Sequence, residues 1–119
     1  MAAAINFQRG LGPIMINGVI AAWRLGNSAT VTTGASSANI ALPTDPNGNL
    51  YAAYLVQSTA TAWWDFCTTG ADTVVAAAAN ATPAVPGQGS IPCVVPPGAG
   101  FIAAIQDAAA GKVTFTGCY

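Results

Sequence analysis

The stretch Tyr51-Ala52-Ala53-Tyr54-Leu55-Val56-Gln57-Ser58-Thr59-Ala60-Thr61-Ala62-Trp63-Trp64-Asp65-Phe66-Cys67 decides the fold. In its second half Ala62, Trp64 and Phe66 alternate with Trp63, Asp65 and Cys67. That period of two belongs to a half-buried β-strand, with successive side chains on opposite faces of a sheet. The first half is rich in aromatic and branched residues, and Ser58–Thr61 separates the two runs with small polar residues. The expected element is a hairpin of strands 51–57 and 62–67. Trp64 and Phe66 face the core in this reading, and Trp63 lies outside or against a partner.

Working outward, the same grammar repeats. Strands are expected at Ala29–Thr33 and Ala38–Leu42, on either side of the turn Gly34-Ala35-Ser36-Ser37. Pro43-Thr44-Asp45-Pro46-Asn47-Gly48-Asn49 is the strongest loop signal, since Asn-Gly suits positive φ. Asp72–Ala79 reads as a short strand running into a loop; the β-branched Thr73, Val74 and Val75 outweigh the alanines that follow. Several prolines after Thr82 leave room only for an edge-like strand at Ile91–Val95. Phe101–Ile105 and Lys112–Cys118 close the series. Turn signals about every eight to twelve residues, with no amphipathic helix, predict an all-β chain. The expected architecture is a single antiparallel β-sandwich, jelly-roll-like, over residues 26–119, preceded by residues 1–25 as an extended N-terminal arm and first strand. Ile14–Arg24 is the candidate for that strand, interrupted at Gly18.

Composition narrows function by exclusion. The 119 residues contain no His, three cationic and four acidic side chains, and the charged fraction is 6%. About 25% is usual in globular domains. Without His, neither a Ser-His-Asp nor a Cys-His arrangement can form. No Glu is present, and Asp45, Asp65, Asp72 and Asp107 show no paired spacing. Asp45–Asn49 begins like a calcium loop, but its glycine comes early and Val56 stands where the bidentate Glu belongs. Gly111-Lys112 lacks the rest of a phosphate loop, and Gly98-Ala99-Gly100 lacks the third glycine of a dinucleotide fingerprint. The chain therefore reads as structural rather than enzymatic, with no cofactor and no metal. Three cations are too few for sequence-independent binding to nucleic acid. Leu11–Trp23, broken by Pro13, Asn17 and glycines, falls short of the ~20 apolar residues that cross a bilayer, so no membrane partner is expected. It also makes a poor signal peptide, and a soluble, unprocessed chain is expected. Cys67, Cys93 and Cys118 are odd in number and widely spaced, which reads as small buried hydrophobes in a reducing compartment.

A resemblance runs from Ser36 to Val113. It rests on Ser36-Ser37-Ala38-Asn39-Ile40-Ala41-Leu42-Pro43, on Tyr54–Phe66, on Pro86-Gly87-Gln88-Gly89 and on Val95-Pro96-Pro97-Gly98-Ala99-Gly100-Phe101-Ile102-Ala103-Ala104-Ile105. In this order the elements resemble a group of small β-sandwich virion proteins of tailed bacteriophages, the head decoration (cement) and head-associated proteins. Two positions depart from that pattern. Asp65 stands where a basic residue is usual, and Phe101 where His is common before Ile-Ala-Ala-Ile. The resemblance implies a capsid decoration protein that binds and stabilises the outer surface of a phage head. Its partners would be the major capsid protein and further copies of the chain, as a homotrimer, on particles assembled in the host bacterial cytoplasm. A receptor- or carbohydrate-binding module of a fibre or tail tip is the alternative. The expected interface residues are Phe7, Arg9, Ile14, Ile16 and Trp23 on the arm, with Trp63 on the expected hairpin.

Overall fold

The computed structural model describes residues 14–16, 19–22, 24–87 and 91–119. Their strands are β1 (Ile14–Ile16), β2 (Val19–Ala22), β3 (Leu25–Thr32), β4 (Ala38–Ala41), β5 (Ala53–Ser58), β6 (Ala62–Cys67), β7 (Thr82–Ala84), β8 (Ile91–Cys93), β9 (Phe101–Gln106) and β10 (Lys112–Cys118). Two four-stranded sheets, ordered β3-β10-β5-β8 and β4-β9-β6-β7, hold the last eight strands, and β1 pairs only with β2. Every pairing is antiparallel. Within the sandwich the chain changes sheet at each connection except β6 to β7. That alternation is the jelly roll, in which strands close in space are distant in sequence. The all-β sandwich read from the sequence is the fold observed.

The core forms where the inward rows of the two sheets meet. Val31, Tyr54, Val56, Val113 and Phe115 come from the first sheet, and Ala62, Trp64, Ile102 and Ala104 from the second. Trp64 sits edge-on to Phe66 at 5.0 Å and to Phe115 at 5.1 Å between ring centroids. Its burial and that of Phe66 against the cluster match the alternation read along 62–67. Small residues oppose large ones: Ala104 lies opposite Trp64 in the β6–β9 register. Each large apolar side chain so buried contributes roughly 1.5–3 kcal/mol.

Four expectations are corrected. The prolines after Thr82 leave room for a strand besides Ile91–Val95, since β7 carries Pro83 at the sheet edge and pairs with β6. Strands 51–57 and 62–67 do not form a hairpin. β5 pairs with β10 and β8, whereas β6 pairs with β9 and β7, so Thr59–Thr61 arches from one sheet to the other. The arch is held from outside: the Thr59 N–H donates to Lys112 O (2.9 Å), the Lys112 N–H to Thr59 Oγ1 (2.9 Å), and the Asp107 N–H to Thr61 O (3.2 Å). Asp72–Ala79 contains no strand; it runs through turns. Its backbone bonds go to turns and side chains, with Ala78 N–H to Val75 O, Ala81 N–H to Ala78 O and Val74 N–H to Ser37 Oγ, and not to a ladder. Ile14–Arg24 is not one strand either. β1 and β2 form an antiparallel pair in which Ile16 lies opposite Val19, and the sandwich begins with β3 at Leu25.

Candidate interaction surface

The antiparallel pairings bring the start of β3, β5 and β9 and the end of β4, β6, β8 and β10 to one end of the sandwich. Loops 42–52 and 94–100 close this end, tied by Leu42 N–H to Gly100 O (2.9 Å) and Gly100 N–H to Cys67 O (3.1 Å). The C-terminus reaches it too, where Arg24 and Tyr119 exchange backbone bonds. Tyr51 braces the site from beneath. Its ring stacks on Tyr119, and its hydroxyl accepts the Asn27 N–H at 2.8 Å. The Tyr54 hydroxyl donates to Pro43 O at 2.6 Å and pins the long loop; burial pushes its pKa up. Asp45 shapes the loop tip by accepting the N–H groups of Asn47 and Asn49, and Gly48 takes φ +83° as the Asn-Gly signal predicts.

On this braced end stand Leu25 (65% exposed), Leu50 (42%) and Val94 (75%). They rank among the large apolar side chains that the fold leaves in water. The β1–β2 hairpin joins the chain directly ahead of Leu25, and its sequence, Ile-Met-Ile and Val-Ile-Ala-Ala, carries no charge. A lone two-stranded hairpin is marginally stable in water at best. The end thus combines exposed apolar side chains with an apolar element that belongs to neither sheet.

Of the residues expected at an interface, Ile14 and Ile16 occupy β1. Phe7, Arg9 and Trp23, like the rest of the arm at 1–12, lie outside the described residues. Trp63 is elsewhere, on the outer face of the second sheet, half-buried, with its Nε1–H donating to Asp107 Oδ1 at 3.0 Å. No strand pairing joins its sheet to the hairpin. The sequence reading missed Leu25, Leu50 and Val94, because an apolar residue next to a strand looks the same whether it faces the core or water. It also missed the hairpin, although Asn17-Gly18 between apolar runs is a strong hairpin signal.

The outer face of the second sheet is partly covered by the chain itself. Residues 68–81 cross it as a strap, and Val74 packs with Cys67 and Ala103 beneath. The Asn39 amide donates to Thr69 O and Asp72 O, Ser37 Oγ accepts the Val74 N–H, and Asn80 donates to Asp65 Oδ2. Asp72 Oδ2 accepts the N–H groups of Thr68 and Thr69 and the Thr68 hydroxyl. The Thr69 N–H, ahead of the hydroxyls and the Thr68 N–H, holds the Asp72 carboxyl below its ordinary value.

Chemically the described residues are quiet. Asp45, Asp65, Asp72 and Asp107 each accept a hydrogen bond that fixes a loop or a side chain. No three Cys or Asp side chains converge to hold a metal among the described residues. All three cysteines are thiols; burial pushes Cys67 and Cys118 up, with Asp65 and Asp72 adding to the first and Cys93 to the second. An open groove of about 470 Å³, lined by Gln57, Thr59, Val85, Lys112 and Thr114, offers one charged group. No protein-family model, curated protein or solved structure matches this chain.

Proposed function

We propose that the chain is a structural virion protein, a decoration protein that binds the outside of a bacteriophage head and stabilises it. The observation that carries this reading is the end of the jelly roll where Leu25, Leu50 and Val94 stand exposed, with the uncharged β1–β2 hairpin preceding Leu25 in the chain. Such a patch suits a permanent contact with another protein, because apolar surface left in water favours burial on assembly. Jelly rolls recur in viral capsid proteins, a fold-level analogy in the same direction. The stretches behind the phage resemblance also fall together in space. Ser36–Pro43 contains β4, and Tyr54–Phe66 and Val95–Ile105 cover nearly all of β6 and β9, the neighbours in the second sheet, while Tyr54–Ser58 belongs to β5 of the first. The partners in this reading are the major capsid protein and other copies of the chain, on the capsid exterior.

The test is the copy number of the chain in purified particles, measured against the major capsid protein by quantitative mass spectrometry. Hundreds of copies are expected. A handful would place the chain at a tail tip or fibre, and absence from particles would end the virion reading. Deletion of residues 1–12 is expected to abolish attachment while the circular dichroism of the sandwich persists. Undiminished attachment of the truncated chain would remove the arm from the interface.

A further inference from the structure

An open sheet edge is a template for another strand, so proteins guard their edges with short strands, proline or charge. Three of the four edges of this sandwich follow that rule. β7 is three residues long and contains Pro83, β8 is three residues long and contains Pro92, and β4 spans only four residues. The fourth edge, β3, is different. It runs for eight residues, Leu-Gly-Asn-Ser-Ala-Thr-Val-Thr, with no proline and no charge.

The hydrogen-bond phase of β3 shows which of its groups face outward. Thr33 donates to Gly111 O at 2.8 Å, so 33 and 111 form a bonded pair. In an antiparallel ladder bonded and non-bonded pairs alternate. Val31–Val113 and Ala29–Phe115 are therefore bonded pairs, whereas Thr32–Lys112, Thr30–Thr114 and Ser28–Thr116 are not. The N–H and C=O groups of Ser28, Thr30 and Thr32 point away from β10, and among the described residues no strand lies beyond β3. Ahead of them the regular ladder ends: the register shifts between Thr116 and Cys118, and Asn27 donates its N–H to the Tyr51 hydroxyl and its side-chain amide to Thr44 O. The open stretch is 28–32, and Ser28, Thr30 and Thr32 are all exposed.

We infer that this edge pairs with the same edge of a second copy, antiparallel about a twofold axis through Thr30, to make one continuous sheet across a dimer. The stretch is self-complementary. With Thr30 opposite the partner's Thr30, Ser28 falls opposite the partner's Thr32, and each outward N–H meets a C=O. Nothing opposes the approach electrostatically, because no charged side chain lies between Leu25 and Thr32. An isologous contact of this kind closes on itself and stops at two copies. The homotrimer implied by the phage resemblance would need a different surface. The inference stands independently of whether the chain sits on a phage head.

Sedimentation equilibrium of the full chain, with amide hydrogen exchange at high and low protein concentration, tests it. A mass of twice 11.8 kDa is expected, with exchange at Ser28, Thr30 and Thr32 slowed at the higher concentration. Thr30→Lys and Thr30→Asp each set like charges face to face across the axis and are expected to weaken the dimer about tenfold or more. Mixing the two variants is expected to restore it, which damage to the fold would not do. A monomer or a trimer from the wild-type chain overturns the inference. So does a dimer whose three edge amides exchange at one rate at all concentrations, or one that neither charge weakens.

Discussion

Tyr51 lies between two glycines that give it room. A Cβ on Gly26 or Gly117 would overlap the Tyr51 ring, which is itself fixed by stacking on Tyr119 and by edge contact with Tyr54 at 5.8 Å. The ring cannot swing away, since its hydroxyl is tied to the Asn27 N–H and only 7% of the residue is exposed. Gly117→Ala is therefore expected to destabilise the sandwich by about 1–3 kcal/mol, the range for overpacking a core. Gly34 is the internal control, with open space around the position of its Cβ. Gly34→Ala should be neutral or slightly stabilising, because it mainly restricts the unfolded chain. Urea midpoints of the two variants decide the matter; equal midpoints would mean that Tyr51 relaxes freely.

Among the elements, the 68–81 strap is shaped by a carboxylate, Asp72, whose pKa the fold lowers. The Asp72 carboxylate accepts three of the bonds that shape it, and its pKa is lowered in the folded chain. The ionised form is thus the one that the fold favours. Its contribution is present above the ordinary carboxylate pKa of about 3.9 and fades as pH falls through the lower folded value. Amide exchange at Thr68, Thr69 and Val74, corrected for intrinsic rates, should accelerate in that acid range while the core amides of β10 stay protected. Asp72→Asn should remove the pH response and leave the strap looser at neutral pH; an unaltered acid response in that variant would assign it to another group. The strap also marks where the sequence became illegible. β10 is legible to the residue at Lys112–Cys118, and the faces of β6 follow from the alternation in Ala62–Cys67. Local period cannot name a strand's neighbours, however. The arch at Thr59–Thr61 and a hairpin turn share the same small polar residues, and the difference lies in Lys112 and Asp107, distant in sequence. Asp72–Ala79 failed for a related reason: Val74 is β-branched because it packs on Cys67 and Ala103, not because it extends a ladder.

Across the whole molecule, charge and apolar surface predict how a decoration contact would respond to salt. The three cations and four carboxylates are dispersed, and the carboxylates are already engaged with loops and side chains of the chain itself. Exposed Leu25, Leu50 and Val94 instead place apolar area at one end. Attachment through that end draws on water release, which salt does not screen, whereas attraction between exposed charges is screened beyond about 10 Å at 0.1 M salt. Attachment to stripped particles should accordingly change less than about threefold between low and high sodium chloride. Leu25→Asp and Val94→Asp should weaken it about tenfold or more, since each sets a carboxylate into the apolar contact. Neither side chain supports the core, so thermal unfolding of both variants should stay close to wild type. A steep fall of attachment with salt, together with indifference to both substitutions, would move the contact away from this end. The polar face that carries Lys112 and Thr114 would then be the surface to test.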